Sequence, residues 1–147
     1  MTELIYSQLP KETVDQMATY GKQSREMQAQ NNFADAEKYL LQIWDLIPEP
    51  KFTWGNTNSL LYGIVDFYRR WGKHEVAKKW IAQALSQDLQ PHQYVQYLEA
   101  GKTYYEAGEL EVAKEYFAKA FNIAGARGFS GEDPKYLKFF REKQAAK

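Results

Sequence analysis

Residues 68–85 read YRRWGKHEVAKKWIAQAL, and residues 104–121 read YYEAGELEVAKEYFAKAF. Shifting one onto the other by 36 positions aligns Tyr68 with Tyr104, Gly72 with Gly108 and Val76-Ala77-Lys78 with Val112-Ala113-Lys114. Ala82 and Ala84 then meet Ala118 and Ala120. A fainter copy lies upstream. A shift of 41 positions brings Ala36 onto Ala77, Asn31 onto Gly72, Tyr39 onto Trp80, Leu40 onto Ile81 and Trp44 onto Leu85. One such unit cannot bury its apolar face alone, so a chain that repeats at this period is expected to stack its units side by side.

Within each unit the apolar spacing is helical. Tyr94, Tyr97, Leu98, Gly101 and Tyr104 recur three and four residues apart and form one stripe. Gly108 ends that helix in the left-handed conformation a helix end favours. Leu110, Ala113, Phe117, Ala120, Phe121 and Ala124 form the stripe of the helix that follows. Ala113 and Ala120 are expected to admit a neighbouring helix closely, with Phe117 filling the space beside them. The whole chain reads as helices at about 10–30, 33–47, 57–71, 73–87, 91–107, 109–124 and 134–143. Start signals support this reading: Asn32 as a cap, Pro91 at a first turn, and Asp133 before Pro134. Short turns inside a unit imply antiparallel neighbours.

The pattern resembles the tetratricopeptide repeat family. That motif has a small residue and an aromatic in the first helix, Gly at the turn, and Ala, Phe and Ala in the second. The third unit carries it as Gly101, Tyr104, Gly108, Ala113, Phe117 and Ala120. The second carries Tyr68, Gly72, Ala77 and Ala84, with Val65 at the small position and Ile81 at the aromatic one. The first keeps Ala36 and the closing Pro48, with Ser24, Met27 and Asn31 elsewhere. The resemblance implies a single all-α domain over residues 1–147, a right-handed α-solenoid of about three helix pairs. The repeats fall near 17–50, 58–91 and 94–127, and a C-terminal capping helix spans 133–144. In that cap Tyr136, Leu137 and Phe140 share a face, which is expected to cover Phe117 and Phe121 at the open end of the stack.

Composition narrows the function. Nineteen basic and nineteen acidic residues cancel, so no electrostatic footprint for nucleic acid is visible. There is no Cys, which excludes disulfides, thiolate metal sites and thiol catalysis. Neither a secretory signal nor a membrane-length apolar stretch is apparent, and a cytoplasmic protein is expected. His74 and His92 sit at separate helix starts with no ligands spaced around them, so no metal or other cofactor is expected. No catalytic constellation is found, and no enzymatic activity is expected. The loop at 125–133 has glycines but lacks the Gly-Lys-Ser/Thr of a phosphate cradle, and reads as a flexible turn. Phe52 and Trp54, in the 48–58 loop, read as plugs packed against the helix pairs.

What remains is a binding surface. In proteins similar to this family the first helix of each pair lines a concave groove. By that resemblance the groove residues here are Lys22, Arg25, Gln28, Tyr62, Asp66, Arg69, Arg70, Leu98, Lys102 and Tyr105, with Ser59, Val95 and Glu106 beside them. Arg25, Arg69, Arg70 and Lys102 lend it a basic tendency, read as solvated side chains open to an acidic protein or peptide partner. Self-association through exposed aromatic faces is the alternative. Some family members hold a C-terminal carboxylate with Lys and Asn. The matching positions here are Gly21, Arg25, Gly63, Val95 and Glu99, of which Arg25 alone suits that role.

Overall fold

The computed structural model describes residues 8–55, 57–87 and 92–145. The helix start expected at Pro91 lies outside them, as do residues 1–7 and Asn56. The described residues form seven α-helices and no β-strand: α1 (Lys11–Ala29), α2 (Phe33–Leu46), α3 (Thr57–Trp71), α4 (His74–Leu85), α5 (Val95–Glu106), α6 (Leu110–Ala124) and α7 (Pro134–Ala145). Short 3-10 turns lie at Lys51–Thr53 and Gly125–Phe129. By compactness the chain divides into Met1–Leu61 and Tyr62–Lys147, and the boundary falls within α3.

Three turns build the helix pairs, and they are the same turn. Asn31, Gly72 and Gly108 have φ of 57°, 78° and 81°. At each, the left-handed residue donates its N–H to the carbonyl three residues back, and the next residue donates to the carbonyl five back. The distances are 3.0 and 2.8 Å at Asn31-Asn32, 3.1 and 2.9 Å at Gly72-Lys73, and 3.0 and 2.9 Å at Gly108-Glu109. This pairing satisfies the last carbonyls of the first helix while reversing the chain. The second helix then starts at once: Asn32, Lys73 and Glu109 accept from the amides of Ala36, Ala77 and Ala113. All three alanines have no exposed surface.

In the first unit α1 and α2 pack as an antiparallel pair. Ser24, fully buried, donates its hydroxyl to the Ala36 carbonyl at 3.1 Å. Tyr20 stacks on Tyr39 with ring centroids 6.2 Å apart. Asn32 caps α2 by accepting from Asp35 N–H at 3.2 Å. Residues 48–54 fold back on α2. Lys51 Nζ donates to the carbonyls of Trp44 and Ile47 at 2.8 and 2.7 Å, closing the C-terminus of α2 where a cation is favoured. Phe52 meets Trp44 edge-on at 6.2 Å, and Trp54 Nε1 donates to Pro48 O at 3.0 Å.

In the second unit the helix pairs continue. Tyr68 on Trp80 and Tyr104 on Tyr116 are equivalent stacks, at 6.4 and 5.6 Å, each with the rings inclined at 23°. Lys78 of α4 pairs with Glu75 at 2.8 Å and with Glu109 at the start of α6, and lies over the Tyr104 ring. These contacts tie one pair to the next. A Cβ on Gly101 would fall 2.5 Å from the Phe117 ring, so this position must stay bare for the ring to fit. The equivalent positions in the preceding pair hold Val65 and Ile81, both fully buried: bulk has moved from one helix to the other.

The cap is built as its aromatic pattern predicts. Tyr136 and Phe140 are buried, Phe140 lies 5.2 Å from Phe121, and Tyr136 lies 5.8 Å from Phe117. Phe139 also joins, 5.1 Å from Tyr105 and 6.2 Å from Phe117. Three readings need correction. The 125–133 segment opens with a 3-10 turn, and Phe129 is buried between Phe117 and Phe140. It is an aromatic wedge rather than a flexible turn, and Gly128 is packed so closely that a Cβ would lie 2.9 Å from that of Ala124. Leu110, placed on the buried stripe of α6, is exposed, because it begins the helix before the stripe turns inward. Helix α4 stops at Leu85 rather than at 87, where Ser86 turns its hydroxyl onto Gln83 O at 2.9 Å.

Two outcomes follow from this packing. Gly101→Ala should destabilise the chain by about 1–3 kcal/mol, because the Phe117 ring must leave its rotamer or the helices must part. An unchanged thermal midpoint would contradict the close approach. A chain ending at Gly131 loses the burial of Tyr136 and Phe140, worth about 3–6 kcal/mol before ordering entropy is subtracted. It should melt well below the full chain or aggregate through its uncovered aromatics, as thermal scans and light scattering will show.

Candidate functional site

Helix α5 is buried almost all round, from Gln96 through Thr103, and that burial includes the charged Glu99 and Lys102. Buried ions require partners. Glu99 supplies one set. Its Oε2 lies 2.8 Å from Arg69 Nη1 of α3, and its Oε1 accepts from Lys102 Nζ at 3.0 Å. Arg69 also donates to Thr103 Oγ1 at 3.2 Å and sits 3.3 Å from Asp66. Asp66 accepts from Arg70 Nε at 2.8 Å. Lys102 reaches a second carboxylate, Glu132, at 2.8 Å.

This network floors a cleft of about 380 Å³. Asp66, Arg69 and Arg70 line it from α3, and Lys102 and Glu106 from α5. The approach to α7 adds Glu132 and Asp133, and α7 itself adds Lys135 and Tyr136. Glu106 binds the cap to α5: Lys135 Nζ lies 2.8 Å from its carboxylate and the Tyr136 hydroxyl donates to it at 2.7 Å. Burial pushes the Glu106 carboxyl upward, but the hydrogen bonds from Lys135 and Tyr136 outweigh it and hold the group below the usual carboxylate range. The Tyr136 hydroxyl is pushed up, first by burial and then by its bond to the Glu106 carboxylate. Its bond to Glu106 likewise raises Lys135.

The ten groove candidates are distributed unevenly. Asp66, Arg69, Arg70 and Lys102 come together in the cleft. Lys22, Arg25 and Gln28 belong to the first unit; Lys22 and Arg25 are exposed, and Gln28 donates to Ser24 Oγ at 3.1 Å. Tyr62 is half-buried on α3 and does not line the cleft. Leu98 is 3% exposed and belongs to the core with Phe117 and Phe129, so it is not a groove residue. Tyr105 packs edge-on against Tyr136 at 5.3 Å and supports the cap. The expectation of solvated cations is corrected for Arg69 and Lys102. Their side chains are 4% and 10% exposed, because both turn inward onto Glu99, whereas Arg70 is 52% exposed.

Glu132, Asp133, Lys135 and Tyr136 were missed as site residues because their segment reads as a cap alone. A signal existed. At the 36-residue shift Asp66 aligns with Lys102 and Arg70 with Glu106. Opposite charges at equivalent positions of successive first helices mark the charged wall of the cleft, although Asp66 pairs with Arg69 and Arg70, and Lys102 with Glu99 and Glu132, rather than with each other.

Among the described residues no three His, Cys, Asp or Glu side chains are grouped to hold a metal ion, and no helix is long and apolar enough to cross a membrane. The family model of the tetratricopeptide repeat matches residues 59–91 and 97–127, which are the second and third helix pairs. Those residues carry tetratricopeptide repeats, and repeats of that family generally mediate protein–protein interaction without catalysis. The chain matches no curated protein.

The Glu106 contacts should set a pH window. Glu106 is lowered, so its contribution is complete above its unfolded value of about 4.3 and is lost as pH falls through the lower folded value. Tyr136 and Lys135 are raised, so theirs is complete below about 10 and is lost as pH rises through their folded values. Glu106→Gln should therefore lower stability by about 1 kcal/mol near neutral pH, and the two chains should converge as pH falls through the folded value of Glu106, where the wild-type carboxyl is also uncharged. Thermal midpoints of both chains against pH check this.

Proposed function

We propose that this protein is a non-enzymatic scaffold that holds an extended segment of a partner protein in the cleft of α3, α5 and α7. The observation that carries the reading is the charged cleft itself, set on repeats of an interaction family. Arg70 and Lys135 stand at its mouth with side chains 52% and 43% exposed, and offer cations to a partner's carboxylate. Arg69 and Lys102 act from below, holding the floor in shape. The acidic partner expected from the sequence thus rests on Arg70, Lys135 and the inner end of Lys102. Self-association has less support. The exposed large apolar side chains among the described residues, Val14, Val95, Leu110 and Ile123, stand singly on α1, α5 and α6, which is ordinary for a soluble surface.

The test is capture of partners from the native cell. Arg70→Glu should abolish capture while moving stability by less than about 1 kcal/mol, since exposed pairs contribute little to folding. Arg69→Glu, by contrast, should unfold the site, because it buries a carboxylate against Glu99. If Arg70→Glu still captures and Lys79→Glu, on α4 and away from the cleft lining, does not, the partner binds elsewhere.

A further inference from the structure

The charges of the cleft floor can be counted. Arg69, Arg70 and Lys102 face Asp66, Glu99 and Glu132, three cations against three carboxylates. Remove Glu132 and one positive charge is left over. The six differ in how firmly they are held. Asp66 and Glu99 sit in α3 and α5, three or four residues from the cations they pair with on their own helices. Glu132 comes from 30 residues beyond Lys102, on the irregular stretch between Phe129 and Pro134, directly after Gly131 at φ 84°. Its side chain is 26% exposed, against 11% for Glu99. The cap does not depend on it: α7 is anchored by Tyr136 and Phe140 in the core and by Glu106 on Lys135 and Tyr136. Glu132 can therefore leave Lys102 while α7 stays in place.

We propose that Glu132 is an internal stand-in for a partner's carboxylate, seated on Lys102 at the floor of the cleft and displaced when an acidic segment binds. The inference rests on the cleft being the binding site. Its logic is competition. A tethered carboxylate has a high effective concentration, and an incoming one sees only the fraction of molecules in which Lys102 is released. If Glu132 holds Lys102 about nine-tenths of the time, the apparent affinity for an outside carboxylate is about tenfold weaker than the intrinsic one. The same competition gives selectivity. A neutral segment gains nothing at Lys102 by displacing Glu132, because it would leave that cation with Glu99 alone, a carboxylate already shared with Arg69.

The experiment uses the full chain at low ionic strength, where screening is weak, with fluorescein-labelled hexaglutamate as the probe and hexaglutamine as the neutral reference. Glu132→Gln and Glu132→Ser should each bind hexaglutamate about tenfold more tightly than the wild type, with binding of hexaglutamine unchanged. Glu115→Gln removes the same charge from the exposed face of α6 and should leave affinity unchanged. Equal affinities in wild type and both Glu132 variants would overturn the stand-in and leave the cleft reading intact. An equal gain from Glu115→Gln would overturn it too, by showing a long-range charge effect. No binding of hexaglutamate by any variant would overturn the acidic-partner reading and this inference with it. A second measurement needs no variant. In the wild type, saturating hexaglutamate should shift the side-chain carboxyl carbon resonance of Glu132, whose oxygen lies 2.8 Å from Lys102 Nζ. An unchanged resonance would rule out displacement.

Discussion

The structure depends on a turn that only a left-handed residue can make. Asn31, Gly72 and Gly108 each close one helix and aim the next. The two hydrogen bonds at each turn fix where the second helix begins, and that start fixes which residue returns to face the first. Five residues on, that residue is an alanine in every pair, buried without a trace of exposure. The aromatic stacks of Tyr68 on Trp80 and Tyr104 on Tyr116 repeat one inclination because the turns repeat one geometry. A residue other than Gly or Asn would resist this backbone.

Much of this was legible in the sequence. Periodicity, turn residues and the small-residue positions located the helix pairs, because each depends on local geometry that the chain spells out within a few residues. The same reading placed Asn31 on Gly72, and the shared left-handed φ shows why that was sound. Phe129 was not legible. Its neighbours are Gly, Ala and Ser, the signature of a loop, and only the empty space between Phe117 and Phe140 draws the ring inward. The cleft was half legible. A helical wheel places Arg69 and Lys102 on the groove side, but it cannot show that Glu99 pulls both inward, since that choice is made between helices rather than along one.

The buried ions show how the site is assembled. Arg69 and Lys102 gain their places through Glu99, and removing any one partner would leave an uncompensated charge in a poorly solvated setting. The outer ring, Asp66 with Arg70 and Glu106 with Lys135, faces water and is more weakly held. Fixed charges below and adjustable ones above suit a surface that must keep its shape while its contacts change. The charged cleft and the packing of the cap therefore share residues, and Tyr136 serves both: its ring lies against Phe117 and its hydroxyl on Glu106.

The exchange of bulk between successive pairs bears on how such a chain could be lengthened or shuffled. Gly101 with Phe117, and Val65 with Ile81, are two solutions to one packing problem. The repeats look interchangeable when aligned, yet a hybrid that joined the first helix of one pair to the second helix of the other would set Val against Phe, or Gly against Ile. One hybrid is overfilled and the other is left with a void. The unit of inheritance is therefore the closed pair, turn included, and an engineer splicing repeats from this protein should cut in the connections between pairs and never at the glycine within one.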